Sequence, residues 1–88
     1  MTFDCSRSYR ISPAVTLRPE PFGALAYDFR QRRLTYLAAD DLVAVLGALA
    51  EHPSPAEAMA AVGVPPQRRG ALEGALGRLL QRGVLDAT

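Results

Sequence analysis

Lysine, asparagine and tryptophan are absent from this chain of 88 residues, and cysteine and histidine occur once each. A lone Cys5 cannot close an internal disulfide, so nothing points to an oxidising compartment. Cys5 and His52 lie in different segments and leave no metal-ligand spacing. A phosphate loop and a nucleophile elbow are missing as well. No apolar run approaches the roughly 18 residues of a membrane span. The first residues, Met-Thr-Phe-Asp-Cys-Ser-Arg, lack the apolar segment of a signal peptide. These absences give the expectation of a soluble, cytoplasmic protein that is not an enzyme and does not enter a membrane.

What is present is ordinary for a folded chain: 49% hydrophobic and 22% charged residues. The length makes one domain, residues 1–88, burying about 60–65% of the surface its unfolded form exposes. The net charge of +1 is too small to imply a polyanionic partner. All ten basic residues are Arg, and Ala, Gly and Pro are plentiful. A compositional bias of the coding sequence accounts for this, so single Gly and Arg residues carry less functional weight than usual.

Residues 1–13 are mixed and polar and read as a loosely held, flexible arm, with Tyr9 and Ile11 as anchors. From Ala14 to Arg18, Val15 and Leu17 share one face of a short strand. Pro19 and Pro21 then break or edge the sheet. Residues 22–29 alternate more cleanly, with Leu25, Tyr27 and Phe29 on one side and Ala24, Ala26 and Asp28 on the other. Leu34 and Tyr36 continue the pattern after a basic turn. A single aromatic core face requires an even-numbered hairpin loop, or a bulge to restore the phase. Arg30-Gln31 suits a tight two-residue turn poorly, so the expected loop is residues 30–33, pairing Phe29 with Leu34 and Tyr27 with Tyr36.

The remainder is helical. Asp40 or Asp41 is expected to cap a first helix buried through Leu42, Val45, Leu46 and Leu49. Ser54-Pro55-Ala56-Glu57 is a capping box that opens a second, short helix ending at Gly63. Pro65-Pro66 starts a third, which runs to about Arg82 with the stripe Leu72, Leu76, Leu79 and Leu80 and Gly83 as its C-terminal cap. Val84-Leu85 suggests a short return segment. The sheet spans residues 14–37 and the helices 40–82. The expected fold is α+β and winged-helix-like: a three-stranded antiparallel sheet followed by a three-helix bundle.

Two features suit a binder. The strand from Leu34 to Leu37 has one free side unless the arm covers it, and a free sheet edge can accept an extended peptide. The last helix carries Arg68, Arg69, Arg78 and Arg82 against Glu73, and Gly70, Gly74 and Gly77 form a stripe opposite its leucines. That stripe marks either a close backbone approach or, more simply, compositional bias on a solvent face.

The wording of the hairpin is specific. Leu17-Arg18-Pro19-Glu20-Pro21-Phe22-Gly23-Ala24-Leu25, followed by Tyr27, Phe29 and Arg33-Leu34, resembles the mycofactocin biosynthesis chaperone family. That family is similar in fold to the peptide chaperone of pyrroloquinoline quinone biosynthesis, and both are precursor-recognition elements for ribosomally made peptides (RiPPs). The resemblance implies a chain that binds the mycofactocin precursor peptide and presents it to a radical S-adenosylmethionine (SAM) maturase, which modifies the peptide's C-terminal Val-Tyr. It further implies that the chain binds no cofactor, and that the peptide adds as a strand in the groove between the third strand and the third helix. Transferred by position, the peptide-binding residues are Arg33, Leu34, Thr35, Tyr36 and Leu37 together with Arg69, Leu72, Glu73 and Leu76.

Two other readings compete. A DNA-binding winged helix would use residues 66–82 as its recognition helix, but the net charge, the absence of Lys and the lack of Asn or Ser on that helix count against nucleic acid. A structural subunit would use the sheet edge for self-association.

Overall fold

A computed structural model describes residues 3–21 and 23–88. The chain is α+β, and its described residues form, in order, β1 (Tyr9–Ile11), β2 (Val15–Glu20), β3 (Gly23–Asp28), β4 (Arg33–Leu37), α1 (Asp40–Ala48), α2 (Pro55–Ala61), α3 (Pro66–Gln81) and β5 (Leu85–Ala87). The expected three-stranded sheet exists as an antiparallel β2-β3-β4. A second, two-stranded sheet that the sequence reading missed pairs β1 with β5. Phe22, expected to begin a strand, and Met1 and Thr2 of the expected arm lie outside the described residues.

The arm is therefore not loose over its second half. Tyr9 pairs with Ala87 and Ile11 with Leu85, and the Tyr9 ring is buried and stacked on Phe3 with centroids 5.0 Å apart. Ser12 is buried and ties the two sheets together. Its backbone N–H donates to Val84 O at 2.8 Å, and its Oγ accepts from Ala14 N and Arg30 Nη2, each at 3.2 Å.

The hairpin loop has the expected even length of four but sits one residue earlier. Asp28 pairs with Arg33, Tyr27 with Leu34 and Leu25 with Tyr36, which leaves residues 29–32 as the loop, so the expected pairs Phe29–Leu34 and Tyr27–Tyr36 do not form. The cause is Asp28. Its Oδ1 accepts from the backbone N–H of Arg30 at 2.9 Å and of Gln31 at 3.1 Å, and its Oδ2 accepts from Gln31 Nε2 at 2.8 Å. Such an Asx arrangement turns the chain directly after the aspartate, and Arg32 closes the loop at φ 53°. Burial would raise the Asp28 pKa, but the hydrogen bonds from Gln31 and Arg30 and the Arg30 charge outweigh it and hold the carboxyl below its ordinary value.

The largest correction concerns the sheet faces. The face carrying Leu25, Tyr27, Phe29, Leu34 and Tyr36 was expected to be the core. Instead, Ala24, Ala26, Asp28 and Leu37 are buried, while Tyr27, Phe29, Leu34 and Tyr36 are exposed. Ala24, Ala26 and Leu37 belong to one core cluster with Leu42, Val45 and Leu46 of α1. A helix laid across a sheet in this way leaves room for small side chains beneath it, and the core volume comes from the helix instead. Small residues therefore mark the inner face here.

The helices follow their expected stripes. Leu42, Val45, Leu46 and Leu49 are buried, as are Ala58 and Met59 of α2 and Leu72, Leu76 and Leu79 of α3, whereas Val62 is exposed. Ser54 caps α2, its side chain accepting from Glu57 N at 3.3 Å. Neither Asp40 nor Asp41 caps α1. The cap position is Ala39, and both aspartates lie in the first turn, where the helix dipole favours them. Asp41 instead joins two helices, receiving Arg68 Nε at 2.8 Å and Nη2 at 3.0 Å. Gly83 terminates α3 at φ 83°, and Val84 N donates back to Leu79 O at 2.9 Å, which turns the chain into β5.

Candidate peptide-binding groove

β4 is an edge strand. It pairs with β3 on one side, and among the described residues no strand pairs with its other side. The strand of the N-terminal segment, β1, does not add to it but joins β5 in the other sheet. Five residues of edge leave the N–H and C=O groups of alternate positions directed away from β3.

Along this free side runs an open groove of about 400 Å³ between β4 and the C-terminal half of α3. Its strand wall is Thr35, Tyr36 and Leu37, and Leu42 of α1 reaches it from below. The helix wall comprises Ala75, Arg78 and Leu79, continued by Gln81 and Arg82. Leu37, Leu42 and Leu79 are buried and make an apolar floor, while Arg78, Gln81 and Arg82 are exposed and make a polar, basic rim. The hairpin loop is held to this end of α3, since Gln31 Nε2 donates to Arg82 O at 3.2 Å as well as to Asp28. The buried Asp28 therefore fixes both the loop and one end of the groove.

The sequence-derived residues separate into three groups. Thr35, Tyr36 and Leu37 line the groove, with Leu37 in its floor. Arg33 and Leu34 belong to the same edge strand, but the Leu34 side chain is exposed on the outer face of the sheet. Leu72 and Leu76 are core residues beneath α3. Arg69 and Glu73 lie on another flank of the helix, next to the N-terminal segment. There Cys5 donates to Glu73, and Cys5 O accepts from Ala56 N at 3.2 Å. Burial, the Glu73 hydrogen bond and the nearby Glu73 and Asp4 charges push the Cys5 thiol up to about 12, which disfavours the thiolate. Arg69 Nε is buried with no hydrogen-bond partner among the described residues.

Sequence reasoning missed the groove's helix wall, Ala75, Arg78, Leu79, Gln81 and Arg82. The leucine stripe gave the buried side of α3, but which flank meets β4 depends on how the helix docks. The cap at Gly83 and the return strand β5 set that docking.

A model of the Peptide chaperone MftB family matches residues 8–86, nearly the whole chain. The chain belongs to this family. Curated relatives agree. A peptide chaperone MftB from Mycolicibacterium smegmatis is 41% identical over 85 residues, covering 97% of this chain and 83% of that protein. Those from Mycobacterium ulcerans and Mycobacterium tuberculosis are 45% and 44% identical over 62 residues, which is 70% of this chain and 57% of each relative. No solved structure matches. The family is one of peptide chaperones, not enzymes. Among the described residues there is no cluster of acidic, His and Cys side chains that could hold a metal, and no helix is long and apolar enough to cross a membrane.

Proposed function

We propose that this chain, acting in the cytoplasm, binds the mycofactocin precursor peptide by strand addition along β4 and delivers it to a radical SAM maturase, without a cofactor or catalysis of its own. In this reading the arrangement is a winged-helix-like RiPP recognition element. What supports it is the β4 edge, to which no strand among the described residues is added, beside a groove with an apolar floor and an arginine rim, in a chain that belongs to a peptide chaperone family. An added strand gains backbone hydrogen bonds from the edge and places alternate side chains over the floor. Thr35, Tyr36 and Leu37 receive it, Arg33 and Leu34 contribute edge backbone, and Arg78 and Arg82 attract acidic side chains of the peptide. Leu72 and Leu76 support α3 from beneath, and Arg69 and Glu73 extend the helix surface beyond the groove.

Calorimetric titration with the synthetic precursor peptide tests this. Saturable heat at micromolar concentrations is expected, weakened roughly tenfold or more in Arg78→Glu with Arg82→Glu. No heat in the wild-type chain rejects the reading. The DNA alternative finds less support, because Arg68 is held by Asp41 and Arg78 and Arg82 border the groove. A gel shift that fades with salt would restore it.

A further inference from the structure

The β2-β3-β4 sheet has two edge strands, and the parity of its hydrogen bonds treats them differently. Phe29 N–H donates to Ala14 O at 3.1 Å, one step beyond the pair Val15–Asp28. In an antiparallel ladder, successive residues turn their N–H and C=O to opposite sides. Gly23, Leu25 and Tyr27 therefore address β2, as Phe29 does, and Ala24, Ala26 and Asp28 address β4. The bonded pairs of the second ladder are then Ala24–Leu37, Ala26–Thr35 and Asp28–Arg33. Two further observations agree. A Cβ on Gly23 would collide with Leu37 O, so that carbonyl is turned toward β3. Pro19, which has no N–H to donate, stands opposite Ala24, where the parity asks β2 for none.

The same parity disarms one edge. The outward positions of β2 are Val15, Leu17 and Pro19. Val15 N–H is already engaged by Ser12 O at 2.9 Å, and Pro19 presents a ring where an added strand would need a donor. No proline interrupts β4. There Arg33, Thr35 and Leu37 bond to β3, and the N–H and C=O of Leu34 point to the side along which the groove runs.

Parity also decides which side chains of an added strand enter the groove. Residues directly opposite one another in neighbouring strands share a face of the sheet. Leu37 lies in the groove floor with Leu42 and Leu79, whereas the Leu34 side chain is on the outer face. A residue added opposite Leu34 thus turns its side chain outward, and residues opposite Thr35 and Leu37 turn theirs over the apolar floor.

We propose that the precursor peptide docks on β4 and not on β2, that it hydrogen-bonds to the N–H and C=O of Leu34, and that its groove-facing side chains are apolar ones at the alternate positions opposite Thr35 and Leu37. The inference rests on the strand addition argued above and fixes its edge and register.

Amide hydrogen exchange of the full chain, followed by NMR with and without the synthetic precursor peptide, reads the register. Leu34 N–H should exchange quickly in the free chain and about tenfold or more slowly once the peptide is bound. Leu17 N–H, on the other edge, should keep its rate, and Thr35 N–H should be slow in both states. Leu34→Pro removes the outward donor and no bond to β3, and should weaken peptide binding roughly fivefold or more. Leu34→Ala keeps the donor and should cost less than about threefold. Circular dichroism verifies that each variant is folded, and the exchange measurement on the unaltered chain stands whether or not the proline variant folds. Single serine replacements along the peptide should weaken binding most at alternate positions. The proposal is overturned if the peptide slows Leu17 instead of Leu34, if Thr35 exchanges quickly in the free chain, if Leu34→Ala loses as much affinity as Leu34→Pro, or if the serine series shows no alternation. Heat on titration without slowing at Leu34 overturns this edge and register while the peptide still binds. No heat at all rejects strand addition itself.

Discussion

The two faces of the β2-β3-β4 sheet divide the chain's resources in opposite ways. The inner face gives Ala24 and Ala26, each 1% exposed, to the core and lets α1 supply the bulk, while the outer face holds Leu25, Tyr27, Phe29, Leu34 and Tyr36. Aromatic residues maximise contact area, so a chain of this length gains most by burying them in its own core. Leaving four of the five largely in solvent is a loss of stability unless a partner covers them. The small inner face packs closely under a helix, and the large outer face leaves its aromatic side chains half exposed. The difference teaches that side-chain size here separates surface from interior in the reverse of the usual order.

The most damaging way to break the inner face is at Gly23, where β3 passes the end of β4. It sits at φ +148°, and a Cβ there would fall 1.8 Å from Leu37 O. Backbone cannot yield as a flexible side chain would, so Gly23→Ala forces the two strands apart. We expect a destabilisation of about 3 kcal/mol or more, read as a large drop in the chemical-denaturation midpoint. A melting curve like that of wild type would refute the close strand contact.

The comparison itself is sharpened by paired substitutions at neighbouring positions of β3. Ala26→Leu inserts three carbons beneath α1 and should destabilise by about 1–3 kcal/mol. Tyr27→Ser removes an aromatic ring from the outer face and should change stability by no more than about 0.5 kcal/mol. Urea denaturation of the two variants decides it. Equal effects would mean that the faces are not as different as their burial implies.

That contrast also explains how much of the chain could be read directly. The hairpin, its even loop, the capping box at Ser54 and the stop at Gly83 were legible because each is set by local chemistry. Which side of the hairpin is interior was not. Alternation reveals two faces, but choosing the buried one requires knowing how close the helix lies, and that is a tertiary distance. Asp28 offered a misleading signal, since an acidic residue reads as solvent-facing unless its bonds to Arg30 and Gln31 are foreseen. The β1-β5 sheet was hidden for another reason. Its partners are three-residue strands separated by nearly the whole chain, too short to show a period. Of the groove, the β4 wall was legible as an edge strand, while its helix wall depended on the docking of α3.

α3 repeats the two-faced pattern on a smaller scale. One flank borders the groove, another meets the N-terminal segment, and Gly70 and Gly74 face neither. A Cβ at Gly74 would meet only Arg78 Nη1, at 3.6 Å, and one at Gly70 would meet nothing, whereas at Gly77 it would touch Phe3 Cβ at 3.4 Å. Gly74→Ala should therefore stabilise the chain by about 0.5–1 kcal/mol through helix propensity alone, with peptide affinity unchanged. If stability rises and peptide binding weakens, the glycine stripe is part of the binding surface after all.

The smallest effect expected is at the Asp41–Arg68 bridge, which holds the start of α3 to the start of α1. The Arg68 hydrogen bonds lower the Asp41 pKa most, burial opposes them, and the Arg68 charge adds to the lowering, so the folded carboxyl ionises below its ordinary 3.8. The same pairing raises the Arg68 pKa. A carboxyl with a depressed folded pKa contributes its stability in full above the unfolded value and loses it as pH falls through the folded one. Asp41→Asn should accordingly lower the melting temperature slightly at neutral pH, by an amount that salt diminishes because the pair is partly exposed. The gap between variant and wild type should close as the pH drops below about 4. Melting curves from neutral to acidic pH measure it, and a gap that persists at the acid end would mean that the difference does not come from the ion pair with Arg68.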